Sequence, residues 1–240
     1  MTMPPSPRFL ISLATYNERE NLPILTAQIC ESAPEADILV VDDSSPDGTA
    51  DWVEEQMQSD SRFKLIKRSG KQGLGTAVLA AMDYSTRNGY DFLINMDADL
   101  SHPPRFLPDI RAKAEEGFDV VIGSRYVPGG NIIGWAWHRR MMSKAINLYA
   151  RRLLGLKTRD NSGSFRCYRT ALLKRLDQES ICSRGYSFFE EILYRLRKLG
   201  ATFAEVPITF EERRVGESKL NVKEIFIALW LLLRIGITKP

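Results

Sequence analysis

Two carboxylates one residue apart, Asp97 and Asp99 on either side of Ala98, are the groups of this 240-residue chain best suited to chemistry. They follow the apolar run Phe92-Leu93-Ile94-Asn95-Met96, so they leave the end of a strand together. Hard oxygen donors at that spacing can hold Mg²⁺ or Mn²⁺ along with a ribose or pyrophosphate, since both cations favour oxygen and are often completed by phosphates. A cation there would neutralise charge growing on a departing diphosphate. An acidic strand-end turn is the plainer alternative. The next residues, Leu100-Ser101-His102-Pro103-Pro104, form a loop stiffened by two prolines, with another oxygen at Ser101.

Asp42 and Asp43 close a second apolar run and lead into Ser44-Ser45-Pro46-Asp47-Gly48-Thr49. The later residues read as a turn and helix cap. The paired aspartates are placed to hydrogen-bond a ribose or base. Gly70-Lys71-Gln72-Gly73-Leu74-Gly75 opens a helix and lets backbone approach a ligand closely, although it lacks the Walker ending and the GxGxxG spacing. Arg213-Arg214-Val215-Gly216-Glu217-Ser218-Lys219 is either a solvated charged loop or a cationic clamp for diphosphate oxygens. The histidines, His102 and His138, belong to no HExxH motif, and no GxSxG is present, which argues against histidine-driven hydrolysis. His102 reads as a loop residue rather than a base.

These groups need a frame. Apolar runs at Phe9–Leu13, Ile38–Val41, Phe63–Ile66, Phe92–Ile94 and Val120–Ile122 read as strands. Between them lie amphipathic helices, the clearest carrying Leu74, Ala77, Val78, Ala81 and Met82 at helical spacing. Another starts near Asn21, a good N-cap, with Pro23 in its first turn. The alternation implies βαβ units and a Rossmann-like, mostly parallel α/β sheet flanked by helices. Ligands of such sheets bind beyond the carboxyl ends of the strands. Thr15-Tyr16-Asn17-Glu18, Asp42-Asp43-Ser44, Asp97-Ala98-Asp99 and Gly123-Ser124-Arg125 all fall there.

The net charge of +3 is modest, but Gly134 to Arg169 holds nine Lys/Arg against one acid, Asp160. A stretch of that kind suits anionic lipid, phosphate or nucleic acid. Three scattered cysteines indicate neither a disulfide framework nor a zinc site, in keeping with a reducing compartment. No signal peptide is visible at the N-terminus. The apolar run Ile225–Leu233 falls short of the ~20 residues a spanning helix needs.

Taken in order, Thr15–Asn21, Val41–Thr49, Gly73–Ala77, Asp97–Pro103, Gly123–Tyr126, Ser162–Arg166 and Gly216–Leu220 resemble the family 2 glycosyltransferases, and within them the dolichyl- or polyprenyl-phosphate mannosyltransferases. The resemblance runs from about Phe9 to about Ile235. It implies a GT-A fold, Mg²⁺ or Mn²⁺, and an inverting transfer of mannose from GDP-mannose to a polyprenyl phosphate. Tyr16, Glu18, Val40 and Asp42 would cradle guanine and ribose, beside Ala14, which stands where the family usually has proline. Asp97, Ala98 and Asp99 would hold the sugar diphosphate, with Asp99 the main metal ligand and Ser101 assisting. Arg125, Arg213 and Lys219 would bind phosphate or sugar and close over the donor. Arg139 and Arg140, near Trp135 and Trp137, would grip the acceptor phosphate, with Ser162 on the acceptor side.

The resulting expectation is a flexible segment over residues 1–7, a catalytic domain over 8–220 and an interfacial helix over 221–240. The protein would be cytoplasmic and peripherally bound to the cytoplasmic face of a membrane, with room for a small membrane-anchoring subunit and no call for nucleic acid. Two rivals remain at this stage: a UDP-glucose-dependent polyprenyl-phosphate glucosyltransferase, and a non-catalytic module binding nucleotide or nucleic acid through the basic stretch.

Overall fold

The computed structural model describes residues 6–183, 185, 187–212 and 222–238. Among the described residues, nine strands run in the order β1 (Phe9–Thr15), β2 (Asp37–Asp42), β3 (Phe63–Lys67), β4 (Phe92–Asp97), β5 (Val120–Ser124), β6 (Asn131–Ile133), β7 (Arg166–Arg169), β8 (Phe203–Pro207) and β9 (Thr209–Glu211). The helices are α1 (Leu22–Ser32), α2 (Thr49–Ser59), α3 (Leu74–Arg87), α4 (Leu107–Glu115), α5 (Trp137–Leu154), α6 (Thr170–Leu173), α7 (Phe188–Lys198) and α8 (Val222–Thr238). Seven strands form one sheet ordered β3-β2-β1-β4-β7-β5-β8, in which only β7 is antiparallel, wedged between β4 and β5. A small sheet pairs β6 with β9. Each strand read from the apolar runs is present.

Side chains alternate across the sheet, and the alternation builds two cores. Phe9, Ile11 and Leu13 of β1, with Ile38 and Val40 of β2, pack under α1, α2 and α4. Leu10, Leu39, Val41 and Leu93 face the other way, under α3, α5, α6 and α7. The same period sends neighbouring aspartates to opposite faces. Asp42 joins the α1/α2 side, while Asp43 turns toward the start of α3. Asn21 occupies the start of α1 as expected, but its side chain does not cap the helix; Nδ2 donates to Glu18 Oε2 at 2.7 Å instead.

The C-terminal helix α8 is docked rather than detached. Leu232 and Ile235 are buried in the core, and the close approach to α5 needs Gly236, where a Cβ would lie 2.6 Å from Leu153. The opposite face leaves Trp230 and Ile237 exposed. Among the described residues, no helix is long and apolar enough to cross a membrane.

In the first turn of α7, Glu190 is buried and its Oε2 has no partner among the described residues; burial pushes its carboxyl up to about 7. The folded state therefore binds this proton more tightly than the unfolded chain. The stability it provides is complete below the ordinary value of 4.5 and is lost as pH rises through about 7. Glu190→Gln is expected to melt higher than the parent at about pH 8, by up to ~3 kcal/mol, with a gap that closes by about pH 5. Melting curves showing the same gap at both pH values would count against this.

Candidate active site

Register brings the chemistry-bearing residues together. Thr15 lies opposite Asp42, and Ala14 opposite Asp97, so the ends of β1, β2 and β4 form one ledge. Just past each of these ends stands a non-glycine residue with left-handed backbone: Asn17 (φ 62°), Ser44 (φ 56°) and Leu100 (φ 63°). Such conformations cost of order 1–3 kcal/mol and concentrate at functional sites. All three of those in the described chain border this ledge.

Both members of the Asp97/Asp99 pair are partly exposed, and each has one oxygen anchored by a serine. Ser164 donates to Asp97 Oδ1 at 2.7 Å, and Ser101 donates to Asp99 Oδ1 at 2.5 Å through its hydroxyl and at 3.1 Å through its N–H. Ser164 is fixed in turn: Asn95 donates to its carbonyl at 2.9 Å, and Ser12 donates to Asn95 Oδ1 at 3.3 Å. Hydroxyls that orient carboxylates in this way are the usual outer support of metal ligands. Among the described residues, no group of three carboxylate, histidine or cysteine side chains surrounds a common point. The pair therefore fits a divalent cation completed by substrate phosphate and water, the habit of Mg²⁺ and Mn²⁺. Ser101 is almost wholly buried, with its hydroxyl turned onto Asp99 Oδ1.

His102 is buried and accepts the Asp97 N–H at Nδ1 (3.1 Å). A nitrogen that accepts there carries no proton, so the 3.7 Å approach of Nδ1 to the Asp97 carboxylate is not an ion pair. Burial also lowers the imidazole's affinity for a proton, outweighing the nearby acids. His102 is thus a neutral brace, stacked on Phe165.

At the rim just past β1, Tyr16 is exposed and Lys71 sits over its ring, 4.3 Å from the centroid. The glycine-rich loop is tied down from below. Arg68 pairs with Asp43 and reaches Thr76, and Gln72 N–H donates to Asp43 at 3.3 Å. Glu18 stands at the same rim, its N–H donating to Thr49. Asp42 is fully buried and accepts from Thr15 at 2.9 Å and from Ser45 at 2.5 Å and 2.9 Å. It shapes the floor of the ledge. Val40 is not brought to the site; it lies mid-strand in the core under α1 and α2.

Arg125 is buried and forked onto Asp160, with Nε and Nη2 each 2.7 Å from its oxygens, and Nη2 also reaches Ser162 at 3.1 Å. Burial opposes both charges, but each partner outweighs it, so Asp160 stays below the usual carboxylate range and Arg125 above its own. Arg139 bonds Glu212 at 2.8 Å and stacks on Trp135, while Arg140 donates to the Ile132 carbonyl. Arg213 and Lys219 lie outside the described residues. Nothing in the sequence alone marks the contacts of Ser164, Asp160, Lys71 and Arg68, although Ser164 stands within the Ser162–Arg166 motif.

Comparison with known proteins agrees with this arrangement. The model of Glycosyl transferase family 2 matches residues 11–177. A protein named polyprenol monophosphomannose synthase, from Mycolicibacterium smegmatis, is 41% identical over 98% of this chain and 89% of its own length. An undecaprenyl-phosphate mannosyltransferase from Micrococcus luteus is 44% identical over 89% of this chain and 88% of its own. Among solved structures, glucosyl-3-phosphoglycerate synthase from Mycobacterium tuberculosis, in complex with Mn²⁺, UDP and glucosyl-3-phosphoglycerate, superposes with a TM-score of 0.67 at 17% identity, covering 98% of this chain and 80% of that one. The antiparallel strand within a parallel sheet, the serine-anchored aspartate pair and these matches place the chain in glycosyl transferase family 2, with a GT-A fold.

Proposed function

We propose that this enzyme transfers mannose from GDP-mannose to a polyprenyl phosphate, with inversion at the anomeric carbon. The carrying observation is the Asp97/Asp99 pair, braced by Ser164 and Ser101 on a ledge of parallel strand ends. The names of relatives above 40% identity supply the sugar and the acceptor class. Tyr16 and Lys71 offer a face and a charge for the base, with Glu18, Ala14 and Asp42 shaping the adjoining wall. Asp97 and Asp99 would hold the sugar diphosphate together with Mg²⁺ or Mn²⁺, and Arg213 and Lys219 would bind its phosphate or sugar. When bound, the cation supplies neutralisation of charge on the leaving GDP.

An acceptor phosphate oxygen attacks the anomeric carbon opposite GDP. A phosphate monoester is largely anionic at neutral pH, its second pKa being ~6, so no general base is required. A neutral His102 with its Nδ1 already engaged accords with that. Positioning and charge stabilisation then supply most of the rate. Arg139, Arg140 and Ser162 are the acceptor-side groups. Arg140 Nε and Trp135 Nε1 are buried donors lacking an acceptor among the described residues, which suits an anion arriving there. The protein works as a peripheral enzyme at the cytoplasmic face of a membrane, with the exposed side of α8 as an interfacial element and as the place for any anchoring subunit.

The test is to incubate purified protein, Mn²⁺ and polyprenyl phosphate with labelled GDP-mannose or UDP-glucose, and to count label extracted into organic solvent. Lipid-linked mannose that disappears with Asp99→Ala is the expected result. Glucose transfer would overturn the donor; no transfer from either would overturn the reading as a lipid-phosphate mannosyltransferase.

A further inference from the structure

Two arginines on the acceptor side are already paired with a carboxylate, and the two pairs differ in kind. Arg125 is locked to Asp160, with side chains 7% and 0% exposed. Arg139 bonds Glu212 at 2.8 Å, with side chains 21% and 41% exposed. Opening a buried pair strands an uncompensated charge, whereas an exposed pair is held weakly and either partner can be replaced. Only the second pair is fit to open and close in every catalytic cycle.

Exposed as it is, the Glu212 carboxylate is delivered to Arg139 by a pinned backbone. Its N–H donates to the Ile133 carbonyl at 3.0 Å, directly after β9, which pairs with β6. The preceding Glu211 donates its N–H to the Ser101 carbonyl at 3.1 Å, and its carboxylate accepts from Arg105 at 2.9 Å. A Cβ on Gly134 would lie 2.6 Å from Glu212 Cβ and 2.9 Å from Oε2, so the glycine makes the room that this side chain uses. Arg139 is fixed from its other side, with its guanidinium 4.1 Å from the centroid of the Trp135 ring. A guanidinium accepts a carboxylate and a phosphate with the same geometry, so the Glu212 oxygen stands where a phosphate oxygen would bond.

We propose that Glu212 is an internal stand-in for the acceptor phosphate: its carboxylate holds the anion position on Arg139 in the free enzyme, and the acceptor binds by displacing it. This rests on the reading of Arg139 as an acceptor-side group. Binding is then an exchange of one anion for another on a single guanidinium, with no covalent bond made or broken. In the empty enzyme Arg139 is not a free cation, so inorganic phosphate gains little there. The exchange also serves release. The phosphomonoester is largely a dianion at neutral pH, while the product phosphodiester carries one charge and competes less well with the returning carboxylate.

The experiment is a double-mutant cycle read by calorimetric binding of farnesyl phosphate to the full chain, without donor and at low ionic strength. Glu212→Gln should bind this monoester about 3–5-fold more tightly than the parent, the size expected for release of an exposed ion pair. Arg139→Ala should bind it more weakly, and adding Glu212→Gln to Arg139→Ala should then change nothing, because the two residues act on each other. In steady-state transfer, Glu212→Gln should lower the acceptor KM without raising kcat, and Glu212→Asp should restore part of the parental KM. The melting temperature and GDP affinity of Glu212→Gln should match the parent's. Affinity that is unchanged or weaker in Glu212→Gln would make the pair a mere tie between β9 and α5 and overturn the exchange. An equal gain in the Arg139→Ala background would overturn it too, reducing the effect to general repulsion by a nearby acid. Parent and Arg139→Ala binding farnesyl phosphate equally would instead remove Arg139 from the acceptor side, and the exchange would fall with that reading.

Discussion

Asp99→Asn is expected to lower mannosyl transfer by roughly 10²–10³-fold while leaving the melting temperature close to the parent's, because it removes the carboxylate charge that would hold a divalent cation against the donor diphosphate and little else. The asparagine oxygen can still accept the hydrogen bonds that Ser101 makes at 2.5 Å and 3.1 Å, so the turn survives. Ser164→Ala isolates the support from the ligand. It leaves both carboxylates in place but removes the hydroxyl that orients Asp97 Oδ1, and orienting groups of this kind typically contribute 10–100-fold to metal affinity or activity. Its loss should appear as a higher Mn²⁺ requirement, read both from initial rates and from direct Mn²⁺ binding by electron paramagnetic resonance, with Ser164→Thr restoring part of it. An Asp99→Asn enzyme retaining more than about a tenth of its rate would remove the pair from the centre of the mechanism.

Asp160→Ala is expected to cost about 3–5 kcal/mol in urea unfolding, since it leaves the Arg125 guanidinium buried without its counter-charge. The side chains of the pair are 7% and 0% exposed, and Asp160 also accepts the Arg125 and Gly163 N–H groups. Replacing both residues, Arg125→Met with Asp160→Ala, should recover a large part of that loss, because the uncompensated charge is the main penalty. The linkage to pH has the opposite sense from that of Glu190. A carboxyl held below its usual range gives stability that is complete above about pH 4 and is lost as pH falls through the depressed folded value. A double variant no more stable than Asp160→Ala alone would show that the Asp160 hydrogen bonds to backbone, rather than the buried charge, hold this corner.

The first half of the chain was legible because apolar runs and turn residues alternate there, and because βαβ logic puts Asp42 and Asp97 at strand ends. The second half hid its strands. β7 is four residues with arginine at both ends, Arg166 and Arg169, and its placement between β4 and β5 depends on pairing partners far apart in sequence. β6 and β9 are three residues each. Helix α5 presents so much Lys and Arg outward that its narrow buried face, Asn147, Ala150 and Leu154, is faint in the sequence. The same limit governs the site. The pairing of Arg125 with Asp160, 35 residues later, is invisible until the fold brings the two together. The sheet register puts Val40 two residues before the end of β2, with its side chain in the core.

The inverted strand β7 also imposes a timetable on synthesis. Strands β1 to β4 can pair as soon as residue 97 has emerged from the ribosome, since each lies beside another in the set. β5 cannot join them then, because its place in the sheet is reached only through residues 166–169. Until β7 is made, a nascent chain exposes β4 as an open edge and, from residue 124 onward, the apolar β5 as an unattached strand, the two features that invite intermolecular pairing. Translation halted within α5 would therefore yield a fragment prone to aggregate, whereas synthesis past β7 joins β5 to β4 and leaves only the place of β8 open at that end of the sheet.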